Sequence, residues 1–282
     1  MLPINLAAVL IAFREGLEAA LIVGIVLSYL KRIQRTDRAP AAWFGVGSAV
    51  ILSGAIAFVM NRIGATLQEP YEQMFEGTTM LVAVGVLTWM IFWMRHQART
   101  LKSELETRVQ TVVSSGASLG LASLVFFAVF REGVETALFL AANAFAAEGL
   151  STFVGSLIGL GAAALVGVGI YALAMRLNLK LFFDVTSIFL VIFAAGLFAH
   201  AVHEYQEINL LPLLTTQAWN TEWLLSNDSL LGSVLRSLVG YNANPSLLEV
   251  VGYALYWLVI LLGIRWGTER LAARLASERS RL

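Results

Sequence analysis

The sequence predicts an all-α, polytopic membrane protein with seven transmembrane helices, and two observations carry that prediction. The first is composition: 58% of the 282 residues are hydrophobic and only 13% are charged, which lies outside the range of soluble globular domains. The second is a set of seven mostly apolar windows of about 18–28 residues, each long enough to cross a hydrocarbon core roughly 30 Å thick.

The seven windows follow one another along the chain with polar connections between them. They fall near residues 5–30, 42–63, 74–95, 118–146, 152–175, 182–204 and 250–267. The whole chain, 1–282, is therefore predicted to form one transmembrane domain. The longest connection, 206–249, is expected outside the membrane, and its stretch Leu230–Val239 is amphipathic enough to lie on the membrane surface. The absence of cysteine excludes disulfides and thiolate metal sites.

The basic residues predict the orientation of the chain. The chain has nineteen Lys and Arg residues, of which Arg14 and Arg131 belong to a phrase repeated inside two of the windows. Fifteen of the others follow the first, third, fifth and seventh windows, on one side of the membrane, and only Arg62 and Arg236 fall on the opposite side. Cytoplasmic loops carry the excess of Lys and Arg in membrane proteins. We therefore expect the N-terminus outside and the C-terminus in the cytoplasm, which requires an odd number of spans.

A nine-residue phrase occurs twice, each time inside an apolar window. It reads Phe-Arg-Glu-Gly-x-Glu-x-Ala-Leu and spans residues 13–21 and 130–138. A charged side chain at the bilayer centre costs about 2.5–3.5 kcal/mol on insertion scales, so such residues are functional by default. The recurrence of the whole charged phrase argues against chance.

The repetition extends beyond the phrase. The third window begins Phe75-Glu76-Gly77-Thr78 and the sixth begins Phe183-Asp184-Val185-Thr186, each with an acid followed by threonine two residues later. Residues 5–95 and 118–204 are therefore predicted to be two repeats of three helices, with helix 7 at 250–267 standing alone. Because three spans reverse the direction of insertion, the repeats are expected to be inverted, as in secondary transporters with binding sites near the midplane.

Each copy of the phrase supplies two acids to one helix face, because residues three apart are neighbours on a helix. At 1.5 Å per residue both copies lie near the bilayer centre, so antiparallel helices 1 and 4 would bring four carboxylates together. The predicted metal ligands are Glu15, Glu18, Glu132 and Glu135. Arg14 and Arg131 are predicted to supply supporting charge, and each is placed so that it could pair with an acid on a neighbouring helix.

The predicted cluster of four acids and two arginines has a net negative formal charge. Oxygen ligands with negative charge suit a hard, multiply charged cation. The alternative is that the arginines and glutamates form buried ion pairs that only lock the helices together. That alternative accounts for one acid per arginine and leaves the second acid of each copy without a partner.

Six further polar residues form a candidate pathway for a cation towards and away from the central site. Glu72 and Glu76 would share a face if helix 3 starts near Pro70, a favoured first-turn residue. Acids at helix starts are also favoured by the helix dipole, and a histidine near a helix end also serves as an ordinary hydrogen-bonding residue, so both alternatives stay open. The six pathway candidates are Glu72, Glu76, Asp184, His200, His203 and Glu204.

At these residues the chain resembles the iron permeases of the oxidase-dependent iron transporter family. That family carries two Arg-Glu-Gly-x-Glu motifs on helices 1 and 4 of a seven-helix protein, matched here by residues 14–18 and 131–135. Further similar segments are Glu-Gln-Met-Phe-Glu-Gly at 72–77, Leu-Thr-Trp-Met-Ile-Phe-Trp-Met at 87–94, and His203-Glu204.

The resemblance implies uptake of iron, with Fe³⁺ as the expected form, across the bacterial cytoplasmic (inner) membrane, with the motif glutamates as ligands. Iron would be the transported substrate, and no cofactor is expected. The resemblance also implies a separate periplasmic iron-binding protein or ferroxidase as partner. We expect contact with membrane lipid and none with nucleic acid, and the sequence leaves a homo-oligomer open.

Two other functions stay open at this point. The first is a permease for another cation such as Fe²⁺, Mn²⁺ or Pb²⁺, because carboxylate sites separate these ions poorly. The second is an intramembrane metal-dependent enzyme, although di-iron bundles use Glu-x-x-His pairs where this chain has Glu-x-x-Glu, and no His-Glu-x-x-His motif is present. We therefore expect a membrane transporter and not an enzyme.

Overall fold

The computed structural model describes residues 4–97, 101–114, 118–146, 149–173, 179–227 and 229–279. Within these ranges the regular secondary structure is helical, including one short 3-10 helix at Thr36–Arg38, apart from one isolated bridge between Gln217 and Ser246. Nine α-helices lie in the described ranges: α1 Leu6–Arg32, α2 Ala39–Gly64, α3 Tyr71–Gln97, α4 Leu101–Ser114, α5 Ser118–Ala146, α6 Gly149–Leu173, α7 Leu179–Glu207, α8 Leu230–Val239 and α9 Leu247–Arg279. The predicted all-α class is confirmed.

Five helices in the described ranges are long and apolar enough to cross a membrane, and they lie in α2, α3, α6, α7 and α9. The helices α1 and α5 are similar in length, at 27 and 29 residues, but each carries one arginine and two glutamates of the repeated phrase near its middle. Composition alone therefore does not mark them as spans. The number of seven spans and the orientation of the termini stay predictions.

The outward faces of three helices suit contact with lipid. Only 17% of the apolar span in α2 is buried inside the protein, 28% of that in α6 and 22% of that in α9, against 67% in α7. Large exposed apolar surfaces mark sites of interaction with other apolar matter. The exposed side chains include Phe44, Ile51, Phe58, Leu157, Leu165, Leu258, Val259 and Leu262. This is a multi-pass membrane protein.

Helix α4 was not among the predicted elements. Its buried residues Leu105, Val109 and Val113 recur every four positions and pack in one cluster with residues of α1 and α5. Arg32 of α1 also pairs with Glu106 across 2.9 Å. The segment is an amphipathic helix too short and too polar to span a membrane, so a search for apolar windows passes over it.

The long connection 206–249 contains α8, whose bounds coincide with the predicted amphipathic stretch. Ser229 caps its first turn by accepting a hydrogen bond from the backbone N of Gly232 at 3.0 Å, a favoured N-cap arrangement. Gly240 ends the helix in the left-handed conformation, with φ of 72°. The helix packs against α7, α1 and α5, so it lies on the helix bundle.

The main packing pairs are α1 with α6, α2 with α5, α3 with α7, and α1 with α5. A Cβ added to Gly155 of α6 would lie 3.4 Å from the backbone N of Val9 in α1, and one added to Gly45 of α2 would lie 3.0 Å from the backbone N of Phe126 in α5. Val9 and Phe126 are 117 positions apart, the same separation as the two charged phrases. Small residues thus bring both helix pairs close together, with contacts at equivalent positions.

Candidate metal centre

The two copies of the charged phrase lie on α1 and α5, which are packed against each other at the centre of the bundle. The glycine inside each copy meets a different neighbouring helix. A Cβ added to Gly16 would lie 2.9 Å from Cβ of Ala163 in α6, and one added to Gly133 would lie 2.6 Å from Cβ of Ser53 in α2. The absence of a side chain at each glycine therefore allows the neighbouring helix to approach the phrase closely.

Three carboxylates converge at the centre of the bundle. Glu15, Glu132 and Glu135 each offer one oxygen, and these oxygens all lie within 4.8 Å of one another. All three side chains are buried. Each also has a buried Oε2 atom without a hydrogen-bond partner in the described structure. Burying a polar group without a partner is costly, and an oxygen cluster of this kind is suited to a hard cation.

The arginine of the first copy pairs with both acids of its own helix. Arg14 is 2% exposed and pairs with Glu15 through Nη1 and with Glu18 through Nη2, the latter across 2.8 Å. Both terminal nitrogens also lie 3.5 Å from Sδ of Met90 in α3. Glu18 is held by Arg14 and is not one of the three converging carboxylates.

The second copy pairs differently. Arg131 is 35% exposed and donates through Nε to Glu135 across 2.9 Å. Its guanidinium carbon lies 4.3 Å from the ring centroid of Trp93 and 5.6 Å from that of Trp89. The described ion pairs of both arginines join residues one or four positions apart on the same helix. They do not join an acid on a neighbouring helix, the pairing that the sequence had left possible.

A second group of acids gathers where the start of α3 meets the end of α7. The charges of Glu72, Glu204 and Glu207 all act on Glu76. Close packing underlies this arrangement, since a Cβ added to Gly77 would lie 3.4 Å from Cβ of Glu204. The predicted pathway residues Glu72, Glu76 and Glu204 therefore lie in one neighbourhood. Glu207, which is not among the six predicted pathway residues, lies there as well.

His203 connects this acidic end to the start of α9. Its Nδ1 lies 3.0 Å from Oε1 of Glu249, and its Nε2 lies 3.2 Å from Oε1 of Glu207. Glu249 also accepts hydrogen bonds from the backbone N of Ser246 and from the side chain of Asn242, each at 3.0 Å. Both ring nitrogens of His203 face carboxylates.

His200 and Asp184 lie apart from these groups. His200 is buried, with Nδ1 3.0 Å from the carbonyl oxygen of Gly196 and with Nε2 accepting from Nε of Arg236 at 3.3 Å. Both of its ring nitrogens are therefore engaged by protein groups. Asp184 lies on an exposed face near the start of α7, away from the other candidates. Their pathway roles stay predictions.

Four residues that were not predicted as site residues make close contacts with the motif arginines or with His203: Trp89, Met90, Trp93 and Glu249. The sequence does contain a local pattern for the two tryptophans and another for Glu249. Trp89 and Trp93 are four residues apart and therefore share a helix face, and Ser246 with Glu249 has the spacing of a capping box. No local pattern identifies Met90 as a neighbour of Arg14, because that contact joins α1 to α3.

Known proteins resemble this chain over nearly its whole length. Residues 5–274 match the model of the iron permease FTR1 family. A protein of Yersinia pestis named "Ferrous iron permease EfeU" is 40% identical over 255 residues, covering 90% of both chains. One of the same name from Escherichia coli O157:H7 is 38% identical over 255 residues, covering 90% of this chain and 92% of the relative. No solved structure matches this chain. By the extent of these matches, this chain is a member of the iron permease FTR1 family.

Proposed function

We propose that this protein carries iron across the bacterial cytoplasmic membrane through a central site formed by Glu15, Glu132 and Glu135. The observation that supports the site is the convergence of three buried carboxylates, each with an oxygen that has no hydrogen-bond partner among the described residues. The ion pairs with Arg14 and Arg131 use one oxygen each of Glu15 and Glu135, and Glu132 has no ion pair with Arg131 in the described structure, so pairing within the motifs does not account for all three carboxylates. Glu18 stays in the proposed ligand set as the acid that shares Arg14 with Glu15.

The proposed route uses an inverted repeat of α1–α3 and α5–α7, with α9 as the seventh span. The equivalent glycine contacts of α2 with α5 and of α6 with α1 support this relation. With the N-terminus outside, the acidic group at the start of α3 and the end of α7 would face the outside. Glu72, Glu76 and Glu204 would then attract the cation, and Asp184 would lie at the cytoplasmic end. A separate iron-binding or ferroxidase protein is proposed to deliver the ion.

The oxidation state of the cargo is a separate part of the proposal. The resemblance noted from the sequence favours Fe³⁺, whereas the relatives carry the word ferrous in their names. Carboxylate oxygens bind both forms, since availability and geometry decide more than ligand type at such sites. Fe³⁺ at the transport step stays a prediction, and Mn²⁺ or Pb²⁺ are the competing ions to test beside the two forms of iron.

The test is uptake of radioactive iron into proteoliposomes that contain the purified protein, with Fe²⁺ kept reduced by ascorbate in one series and ferric citrate in the other. Glu132→Gln should lower the initial rate by about 100-fold, the upper end of the loss caused by disturbing the surroundings of a metal ligand. Glu222→Gln, an exposed loop position, is the matched control and should transport normally.

Each outcome of this experiment has a defined meaning. Absence of uptake by the wild-type protein in both series would reject the permease function, and metal-dependent turnover without net metal movement would favour an enzyme. Uptake by Glu132→Gln at the wild-type rate would reject the proposed site while leaving transport intact. Equal inhibition by Mn²⁺ and by the preferred form of iron would point to a broader cation permease.

A further inference from the structure

The two motif arginines occupy equivalent positions in the repeated phrase but bind their acids differently. Arg14 reaches both the glutamate next to it and the one four residues later. Arg131 pairs only with Glu135, and no ion pair of Glu132 with Arg131 is present in the described structure. Both copies share the Arg-Glu-Gly-x-Glu spacing and differ only at Leu17/Val134 and Ala19/Thr136, so the pairing seen at Arg14 is sterically accessible to Arg131 as well. The two arginines also differ in their contacts with α3.

Two tryptophans of α3 lie against Arg131. Trp89 and Trp93 stack on each other with ring centroids 5.4 Å apart and an interplanar angle of 17°. The guanidinium carbon of Arg131 lies 4.3 Å and 5.6 Å from their centroids, within the range of about 6 Å over which a cation is attracted to an aromatic face. At the equivalent place Arg14 meets Sδ of Met90, which offers no aromatic face.

In this arrangement one of the three converging carboxylates makes no ion pair with Arg131 in the described structure, because Arg131 pairs with Glu135. Glu132 is buried, and its Oε2 atom has no hydrogen-bond partner in the described structure. An arginine has five N–H donors that fit a carboxylate well, so an unrestrained Arg131 would compete with a cation for Glu132. The guanidinium of Arg131 lies against the stacked rings and pairs with Glu135.

We infer that Trp93, supported by Trp89, is a positioning residue that holds Arg131 on Glu135 and so keeps Glu132 available to the transported iron. This inference rests on the proposed permease function. It assigns a role to a residue whose described ring contacts are with Trp89 and Arg131. The role is exercised through Arg131, so it predicts a change in affinity for iron and no loss of the transport step itself.

The test compares Trp93→Leu, which removes the aromatic face, with Trp93→Tyr, which keeps one. Uptake of ascorbate-reduced Fe²⁺ into proteoliposomes would be measured over a range of concentrations to separate KM from the maximal rate. Trp93→Leu should raise KM by about three- to thirty-fold, the range that a cation–π contact supports, with little change in the maximal rate. Trp93→Tyr should restore most of the affinity. Trp43→Leu, an exposed tryptophan on α2, is the matched control.

A double-mutant cycle separates positioning from simple packing. Equilibrium binding of radioactive Fe²⁺ to the detergent-solubilised protein would be compared for Trp93→Leu, Arg131→Gln and the double variant. If Trp93 acts through Arg131, its removal should have no further effect on binding in the Arg131→Gln background. Equal losses in both backgrounds, unchanged affinity in Trp93→Leu, or a lower maximal rate at constant KM would overturn the inference. Absence of uptake by the wild type would instead reject the permease function.

Discussion

Gly133 of α5 lies directly against Ser53 of α2, so that a Cβ added to the glycine would be 2.6 Å from Cβ of the serine. Gly16 and Ala163 form the equivalent contact between α1 and α6. In each case the glycine separates the two acids of the phrase. The neighbouring helix thus packs against the backbone of the very turn that carries the predicted ligands, and its approach fixes where that turn lies.

Gly133→Ala should therefore move α2 away from α5 and disturb the carboxylate cluster. We expect a loss of about 1–3 kcal/mol in stability, the usual cost of overpacking a close contact, together with slower iron uptake. Ser53→Gly in the same protein should restore both properties by making room. Thermal unfolding in detergent and uptake by proteoliposomes would measure them. Gly54→Ala is the control, because an added Cβ there meets no atom within 4 Å; a similar loss in that variant would contradict the packing explanation.

Glu15→Gln should destabilise the protein more than Glu132→Gln does. Glu15 pairs with the buried Arg14, and removing one partner of a buried ion pair costs about 3–5 kcal/mol because the other charge stays uncompensated. Arg14 keeps Glu18, which places the expected loss near the lower figure. Glu132 has no ion pair with either motif arginine in the described structure, so its replacement breaks none. Chemical or thermal unfolding of the two purified variants decides the point, and equal stabilities would show that the pairing with Arg14 contributes nothing.

Arg236→Gln should loosen α8 from the bundle. Its Nε donates to Nε2 of His200 at 3.3 Å, a single net hydrogen bond worth about 0.5–1.5 kcal/mol. Hydrogen exchange of the amides of residues 230–239 should accelerate by roughly two- to ten-fold. Arg62→Gln, an exposed arginine stacked on Phe58, is the control and should leave α8 unchanged. Exchange at the wild-type rate in Arg236→Gln would mean that apolar packing alone holds the helix.

Glu249→Gln should weaken the junction between the long connection and α9. The carboxylate accepts from Ser246 N, from Asn242 and from Nδ1 of His203, each at 3.0 Å, and a glutamine offers only one acceptor oxygen. We expect a loss of about 1–3 kcal/mol, visible as faster proteolysis of residues 240–249. Glu222→Gln serves as the exposed control. Resistance to protease equal to that of the wild type would contradict a structural role for this carboxylate.

The sequence located the helices well because each of the seven windows had to be long and apolar, and length and hydropathy are local properties. All seven windows correspond to helices of the structure, with ends that differ by a few residues at most positions. The C-terminal helix is the exception, since α9 continues to Arg279, well past the apolar window. The amphipathic helix α4 was not predicted, because it is too short and too polar to form an apolar window.

The side-chain pairing at the site was less predictable. Spacing placed the acids of each phrase on one face, but it could not tell whether Arg14 would bind its own helix or a neighbour. The different settings of Arg14 and Arg131 depend on Met90, Trp89 and Trp93, which lie on a third helix. The Arg-Glu-Gly-x-Glu motif, which both copies share, does not distinguish the two arginines.

The sequence by itself determined that this is an all-helical membrane protein with two charged phrases that belong together, since both facts follow from composition and from local repetition. Only the tertiary structure decided which three carboxylates converge and which acids pair with each arginine. It also decided that α3 contacts Arg14 through Met90 and Arg131 through Trp89 and Trp93. Those outcomes depend on contacts between helices far apart in the chain, where packing and charge pairing select one arrangement from several that the local sequence permits.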